Sequence, residues 1–510
     1  MIRILWADDE IESLKPHLLF LEKKGYDVEA VNSGNEAVEK FNTKPFDLVF
    51  LDENMPGMNG LVALEKIKRL NQSVPVIMIT KSEEEMIMEE AIGKQISDYL
   101  IKPVNPNQIL MAIKKLLDGK RLVSETNSTS YQQKFREIGS EISQSLDLNK
   151  WKELFKKLTY WEMQLELSDQ NMTEILNMQK EEANQLFSKY IDKNYTDLLN
   201  DDSTLLSHRL LKDELFSKLK DSDYFLIVID NLRYDQWLAI KPVIEELFSI
   251  EKEGIYSSIL PSTTQYARNA LFSGLTPLEI KNQYPSKWID EDTNEGKNLN
   301  EEFFLKENLR RNYISVKSSY NKITHLDAGK KLVYKFNNLL QNNLNTIVYN
   351  FVDTLSHART DMEVIKELAE DEAAYRSITL SWFKHSPLFE IIKKISESEK
   401  KIMLTTDHGT IRVKNPTKVV GPKSTNSNMR YKVSKNLSYN RKDVFEAMNP
   451  EKLGLPKNNL SSAFIFAKED NYFVYPNNYH HFANLYNDTF QHGGISMEEI
   501  LIPYVFLNPK

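Results

Sequence analysis

The chain has no cysteine in 510 residues. That excludes disulfides and thiolate metal sites, so any zinc must be held by imidazole and carboxylate groups. Apolar runs near the ~20 residues that span a bilayer are missing. The opening Met-Ile-Arg-Ile-Leu-Trp-Ala-Asp-Asp-Glu turns acidic at once and has no signal-peptide cleavage pattern. The expectation is a cytoplasmic protein with no membrane partner. Basic charge is not in excess: 65 Lys and Arg against 73 Asp and Glu leave a net charge of -8. This argues against broad binding of a phosphate backbone, but not against a small nucleotide held at a metal centre. There is no internal repeat, no helix-turn-helix candidate and no basic domain. Proline is missing between Pro106 and Pro242, and glycine is almost absent there.

What is present is an ordinary globular composition, 41% hydrophobic and 27% charged. Its length suggests two or three domains. Residues 1–120 alternate short apolar runs (2–7, 28–31, 48–51, 76–80 and 99–101) with amphipathic stretches such as 61–70. Five strands alternating with helices predict a doubly wound parallel sheet, with its site at the carboxyl ends of the strands. Residues 121–221 carry apolar residues at helical spacing: Phe135, Ile138 and Ile142; Trp151, Leu154, Phe155, Leu158, Trp161 and Leu165; Ile175, Leu176, Leu186, Phe187 and Tyr190. They predict a connecting bundle of three or four helices, with no residues suggestive of chemistry and a possible role in dimerisation. From 222 to 510 strands and helices alternate again, predicting a second and larger α/β domain. Residues 411–439, rich in Lys, Asn and Ser, are expected to form a long loop or insertion near its site.

In the first block, Asp8 and Asp9 follow the first strand, Asp52 ends the third, Thr80 ends the fourth, and Lys102-Pro103 follows the fifth. A parallel sheet brings these positions to one edge. Asp9 and Asp52 can supply oxygen ligands to magnesium, with Asp8 reaching through water and the Asn54 carbonyl completing the set. Asp52 is then a carboxylate nucleophile for phosphoryl transfer. Lys102 and the magnesium offset the transferred charge. Thr80 donates to the new phosphoryl oxygens, and Tyr99 changes rotamer in response. The set resembles the receiver domain of two-component response regulators. The resemblance implies a flavodoxin-like five-stranded fold, a working phosphoacceptor and a sensor histidine kinase partner. That family often has a cis peptide before the proline, and Lys102-Pro103 fits it.

The last block places carboxylate and imidazole groups after apolar runs: Asp230, then Asp353 and His357, then Asp407 and His408, then His492. Asp353 and His357 share a face if a helix follows the strand. With His492, whose two following glycines permit a tight loop, they form a three-ligand zinc site with an open position. Asp230, Asp407 and His408 form a second group, with Gly409 breaking the strand. The segment Pro261-Ser-Thr-Thr-Gln offers a hydroxyl at a helix start, where backbone N–H groups favour phosphate. Two metals would then serve both oxygens of a displacement.

This arrangement resembles the alkaline phosphatase superfamily. The resemblance places Asp230, Thr264, Asp407 and His408 on one zinc, and Asp353, His357 and His492 on the other. It selects Thr264 over Thr263 as nucleophile by the spacing to Ser273-Gly274. Asn231 stands where that family has Gly, and Tyr266-Ala267-Arg268-Asn269 where it often has Pro-Asn. Those departures fit the PglZ subgroup. Arg268, one turn past Thr264, is expected to contact phosphate or to stand solvated. His17, His208, His325 and His385 are expected at the surface or in packing, and His480-His481 as candidates to line the cleft.

A receiver, a helical middle and a PglZ-type domain together resemble response regulators associated with type IX secretion. The resemblance implies a sensor histidine kinase partner and control of secretion genes, and the intact phosphoacceptor set beside the zinc set leads to the expectation that phosphorylation on Asp52 favours homodimerisation. The main expectation is a two-zinc phosphodiesterase acting on nucleotides or oligonucleotides through Thr264. The other reading is a non-catalytic zinc-bound module that signals by binding a transcription or sigma factor.

Overall fold

A computed structural model describes residues 2–510, apart from 73, 82–95, 167–169, 291–296, 362–368, 370, 423–424 and 458–462. The chain divides into two compact units. One comprises residues 1–132; the other comprises 133–166 with 170–510.

The first unit is built on five parallel strands: β1 (Arg3–Ala7), β2 (Asp27–Val31), β3 (Leu48–Asp52), β4 (Val76–Thr80) and β5 (Asp98–Ile101). Their order in the sheet is β2-β1-β3-β4-β5, the flavodoxin-like order. The central strands are buried on both faces, as their unbroken apolar runs require. Period-two alternation sorts their side chains. Leu5, Val49, Leu51, Val76 and Met78 enter one core, and Ile4, Trp6, Leu48, Phe50, Ile77 and Ile79 the other. Helices Gly34–Thr43 and Gly60–Leu70 start at the N-caps Ser33 and Asn59, whose side chains accept from Glu36 and Val62 N–H. The segment between β4 and β5, expected to hold a helix, falls largely outside the described residues.

The second unit contains a six-stranded mixed sheet. Its strands are β6 (Tyr224–Ile229), β7 (Phe248–Ser257), β8 (Ser318–Ile323), β9 (Leu344–Tyr349), β10 (Lys401–Thr405) and a last strand, Leu501–Pro509. From edge to edge the order is β7, the last strand, β10, β6, β9 and β8. Only the last strand runs against the others. β10, β6 and β9 are therefore adjacent and parallel, and their carboxyl ends share one edge. In register, Thr405 pairs with Val228, and Ile229 with Tyr349. The candidate ligands stand just past the ends of these strands.

Helices Leu148–Leu165 and Gln170–Asn200 belong to this same unit. Asp147 caps the first, accepting from Lys150 N–H. Trp151 meets Phe187 with ring centroids 5.6 Å apart, and Phe155 meets Tyr234 of the α/β part at 6.0 Å. Among the described residues the connecting region thus has three long helices, the earliest being Gly119–Ile142, and then short turns up to Lys220.

Residues 411–439, expected as a long loop or insertion, are not simply loop: among the described residues three short strands run through them. Ile411–Arg412 pairs with Phe490–Gln491, Asn415–Lys418 pairs with Asn471–Val474, and Tyr431–Ser434 joins a three-stranded antiparallel sheet. Residues 423–424 of this segment lie outside the described residues. The polar composition misled because two of its cations are buried: Arg430 and Lys432 are almost fully enclosed.

Candidate active site

At the edge of the receiver-like sheet, β1, β3 and β5 deliver Asp8, Asp52 and Lys102 to one point. Lys102 Nζ lies 2.8 Å from Asp8 Oδ2 and 2.7 Å from Asp52 Oδ1. Burial, with Asp8 and Asp9 adding to it, pushes the Asp52 carboxyl above its ordinary range, against the Lys102 ammonium. Asp8, Asp9 and Asp52 each offer an oxygen within 4.8 Å of the others. Three converging carboxylates with one exposed member suit a hard divalent cation such as magnesium. Asn54 is exposed two residues past Asp52. Thr80 Oγ1 donates to Glu53, a buried carboxylate not singled out in the sequence. Tyr99 is exposed, and the Lys102–Pro103 peptide is cis.

The larger domain gathers the second set. Asp230 follows β6, its N–H bonded to the Tyr349 carbonyl of β9 at 2.9 Å. Asp353 and His357 stand one turn apart on helix Phe351–Asp361, with His357 Nε2 3.6 Å from Asp353 Oδ1. His492 follows the short strand Phe490–Gln491, and its Nε2 lies 3.5 Å from the same oxygen. Asp407 and His408 follow β10, with His408 Nε2 3.6 Å from Asp230 Oδ1 and 3.7 Å from Asp407 Oδ2. Asp353, His357 and His492 offer ligand atoms within 4.8 Å of one another, and so do Asp230, Asp407 and His408. The two groups adjoin: the His408 and His492 rings stack with centroids 4.3 Å apart.

Thr264 stands at this junction. It opens the turn Thr264–Arg268, and its Oγ1 lies 3.3 Å from Asp230 Oδ1 and 3.1 Å from His408 Nε2. Thr263 differs: its hydroxyl is buried without a hydrogen bond, and its methyl faces the Gly493 backbone. His357 is the exposed member, 62% accessible, and marks the solvent side of the site.

The electrostatics ask for a cation. Burial raises Asp230 well above the carboxylate range, opposed by Arg268 and reinforced by Asp407, Asp353 and Glu301. Burial also opposes ionisation of Asp353, yet the imidazole of His492 beside it, with His357 and His408, holds it below the ordinary value. His408 is driven down to about 4, first by burial. It is therefore neutral at pH 7. Its Nδ1 lies 3.1 Å from the Gly409 carbonyl, so the ring proton sits there and Nε2 keeps a lone pair facing the carboxylates. Asp407 Oδ2 is buried with no hydrogen-bond donor. An orphaned buried carboxylate oxygen, a neutral imidazole and further carboxylates, without thiol, fit zinc or another divalent ion bound by nitrogen and oxygen.

Three supporting residues carry no legible motif. Asn231 has φ 64°, the conformation glycine takes most readily. Its N–H lies 3.4 Å from Asp407 Oδ1, and its side-chain amide donates to Asp353 Oδ1 at 3.4 Å and Ser356 Oγ at 3.2 Å. It thus ties both ligand groups together, and its only sequence signal was its place after Asp230. Tyr195, on the long helix, accepts the buried Leu260 N–H at 2.8 Å and fixes the loop before Thr264. Glu499 takes Gly494 N–H at 2.9 Å and pairs with Arg430 at 2.6 Å, holding the His492 loop.

Arg268 is neither solvated nor free for phosphate: it is fully buried among carboxylates. His480 and His481 are exposed on helix Tyr479–Tyr486, outside both ligand groups. His325 and His385 are exposed, while His17 bonds the Val104 carbonyl at 3.0 Å. Burial pushes His208 down to about 4.

Comparison with known proteins finds three matching segments along the chain. The BREX system PglZ alkaline phosphatase-like domain matches residues 210–507, more than half of the chain. The chain belongs to this family. Ahead of its PglZ domain, residues 121–199 match the PorX response regulator linker domain, and residues 4–114 match the response regulator receiver domain. The chain therefore joins a receiver, a helical linker of the PorX type and an alkaline phosphatase-like domain of the phosphoester-hydrolase kind. Transcriptional regulatory proteins among the curated relatives match about a quarter of the chain. The transcriptional regulatory protein CpxR homolog of Haemophilus influenzae is 36% identical over 26% of this chain and 56% of its own length. Transcriptional regulatory protein ZraR of Escherichia coli O157:H7 is 31% identical over 27% and 31%. ResD of Bacillus subtilis is 30% identical over 24% and 50%. The chain thus spans about half or less of these relatives. A crystal structure of a CheY-like receiver domain protein from Methanospirillum hungatei JF-1 is 32% identical, covering 23% of this chain and 95% of its own, with a TM-score of 0.23. Among the described residues no helix is long and apolar enough to cross a membrane.

Proposed function

We propose that the chain is a two-component response regulator whose PglZ domain is a zinc-dependent phosphodiesterase for nucleotides or oligonucleotides. A sensor histidine kinase phosphorylates Asp52, with magnesium held by Asp8, Asp9, Asp52 and the Asn54 carbonyl. Phosphorylation drives homodimerisation, and the proposed setting is control of type IX secretion genes. The PorX-type linker supports that setting.

One observation carries the catalytic reading: Thr264 Oγ1 is within 3.3 Å of Asp230 and 3.1 Å of His408, at the junction of two ligand groups. Asp230, Thr264, Asp407 and His408 would hold one ion, and Asp353, His357 and His492 the other. When bound, two zinc ions supply positive charge for the phosphoryl oxygens and lower the pKa of a hydroxyl. Thr264 supplies the nucleophile: its hydroxyl proton passes to solvent, its oxygen bonds to phosphorus as the ester bond to the leaving alcohol breaks, and the leaving oxygen takes a proton from solvent. Water then attacks the same phosphorus and releases Thr264. Asn231 and Glu499 keep the ligand loops in place throughout.

The test is hydrolysis of bis(p-nitrophenyl) phosphate by metal-loaded protein, together with elemental analysis. Thr264→Ala is expected to lose activity by about 100-fold or more while retaining bound metal. Full metal-dependent activity in Thr264→Ala would remove Thr264 from its role.

A further inference from the structure

Arg268 lies one turn past Thr264 and is fully buried. Three carboxylates surround it. Its Nη2 is 3.0 Å from Asp230 Oδ2, and its Nε is 2.9 Å from Glu301 Oε1 and 3.5 Å from Asp407 Oδ2. On its far side Glu301 accepts from the Tyr320 hydroxyl and pairs with Lys322 at 3.0 Å. The guanidinium is not held as a matched fork. Its Nε and Nη1 make no hydrogen bond of good geometry, nor do Glu301 Oε1 and Asp407 Oδ2. It serves this pocket as positive charge more than as a set of directed donors.

Its position also sorts the oxygens of Asp230. Oδ2 faces Arg268, and Oδ1 faces Thr264 and His408. Without the guanidinium, Asp230, Asp407 and Glu301 would converge on one enclosed space beside a tyrosine hydroxyl. An all-oxygen set of that kind suits a hard divalent ion.

We propose that Arg268 is a built-in cation that fills the carboxylate pocket of Asp230, Asp407 and Glu301, keeps Glu301 out of the ligand set and limits the centre to two ions. This rests on the metal-centre reading given above. Arg268 is a positioning residue in this account, not a phosphate contact.

The experiment counts metal. Full-length protein is stripped with chelator, reloaded with zinc and magnesium, desalted and measured by elemental mass spectrometry. The receiver contributes equally in every variant, so differences report the larger domain. Arg268→Ala is expected to bind one divalent ion more per chain than the unaltered protein, and the double variant Arg268→Ala with Glu301→Gln to lose it again. Arg268→Lys is expected to keep the original count, because the charge stays. A folded Arg268→Ala protein with an unchanged count overturns the proposal. If Arg268→Ala does not fold, Glu301→Gln alone decides: an unchanged count upholds Glu301 as a non-ligand, and the loss of an ion overturns the proposal. Unaltered protein that retains no ion in the larger domain overturns the metal-centre reading and this proposal with it, a result distinct from two ions in both proteins.

Discussion

Lys432 shows how far a single residue can depart from its usual behaviour in this fold. It is buried on strand Tyr431–Ser434, with Nζ 2.9 Å from the Asn426 carbonyl and 4.6 Å from the Tyr475 ring centroid. Among the described residues no carboxylate pairs with it. Burial pushes its ammonium down to about 7. The unfolded chain holds that proton up to about 10.4, so between these values the unfolded state binds more protons and stability rises with pH. Calorimetry of the full chain is therefore expected to show the larger unit melting several degrees higher at pH 9 than at pH 7. Lys432→Met, which keeps the volume and removes the charge, is expected to flatten that slope. An equal slope in both proteins would assign the effect elsewhere. His408 obeys the same physics to a different end: burial keeps it neutral, which preserves the lone pair at Nε2.

Among the elements, the His492 loop is closely constrained. Gly493 has φ 118°, and a Cβ on Gly494 would stand 2.5 Å from the Ala467 carbonyl oxygen. Below the loop, the carboxylate of Glu499 accepts from Gly494 N–H and Ser496 Oγ and pairs with the guanidinium of Arg430, both side chains wholly buried. Arg430→Met would strand that carboxylate. Breaking one side of a buried pair costs about 3–5 kcal/mol. The expected outcome is a marked fall in the melting temperature of the larger unit, with loss of the ion assigned to His492, read by elemental analysis. Helix Gln170–Asn200 reaches the same loop from another side. Ser188 Oγ donates to the Ile495 carbonyl at 3.2 Å, and the Asn184 side chain accepts Met497 N–H at 2.8 Å. With Tyr195 on Leu260, this helix holds the loops of both His492 and Thr264. It was expected to be a plain connector; within its unit it is also part of the scaffold of the site.

In the proposed scheme for the whole molecule, the receiver is the input and the PglZ domain the output. Beryllofluoride with magnesium, a stand-in for the phosphoryl group on Asp52, is expected to shift the mass by light scattering from 59.4 kDa to about twice that value. Asp52→Asn is expected to stay monomeric under the same conditions, and an unchanged mass for the unaltered protein would remove dimerisation from the scheme. Chelator is expected to lower the melting temperature of the larger unit. An ion at 100 times its dissociation constant contributes about 2.7 kcal/mol to the state that binds it.

Much of this was legible along the chain. Apolar runs leading to Asp230, Asp353 or Asp407 declare strands, and a parallel arrangement must carry the residues past their carboxyl ends to one edge. The same reasoning collects Asp8, Asp52 and Lys102. Local order also determines that Asp353 and His357 share a helix face, four residues apart. Three-dimensional packing alone decided the rest. Glu301 lies 33 residues beyond Arg268 in sequence and has no periodic or motif signal, yet it completes the shell of that guanidinium. Residues 411–439 look like solvated loop because their charges do, whereas pairing with distant strands buries Arg430 and Lys432. Burial and long-range ion pairing depend on which segments meet, and composition does not record that. The candidate ligands were written in the sequence; the charges that hold them in place were decided by the fold.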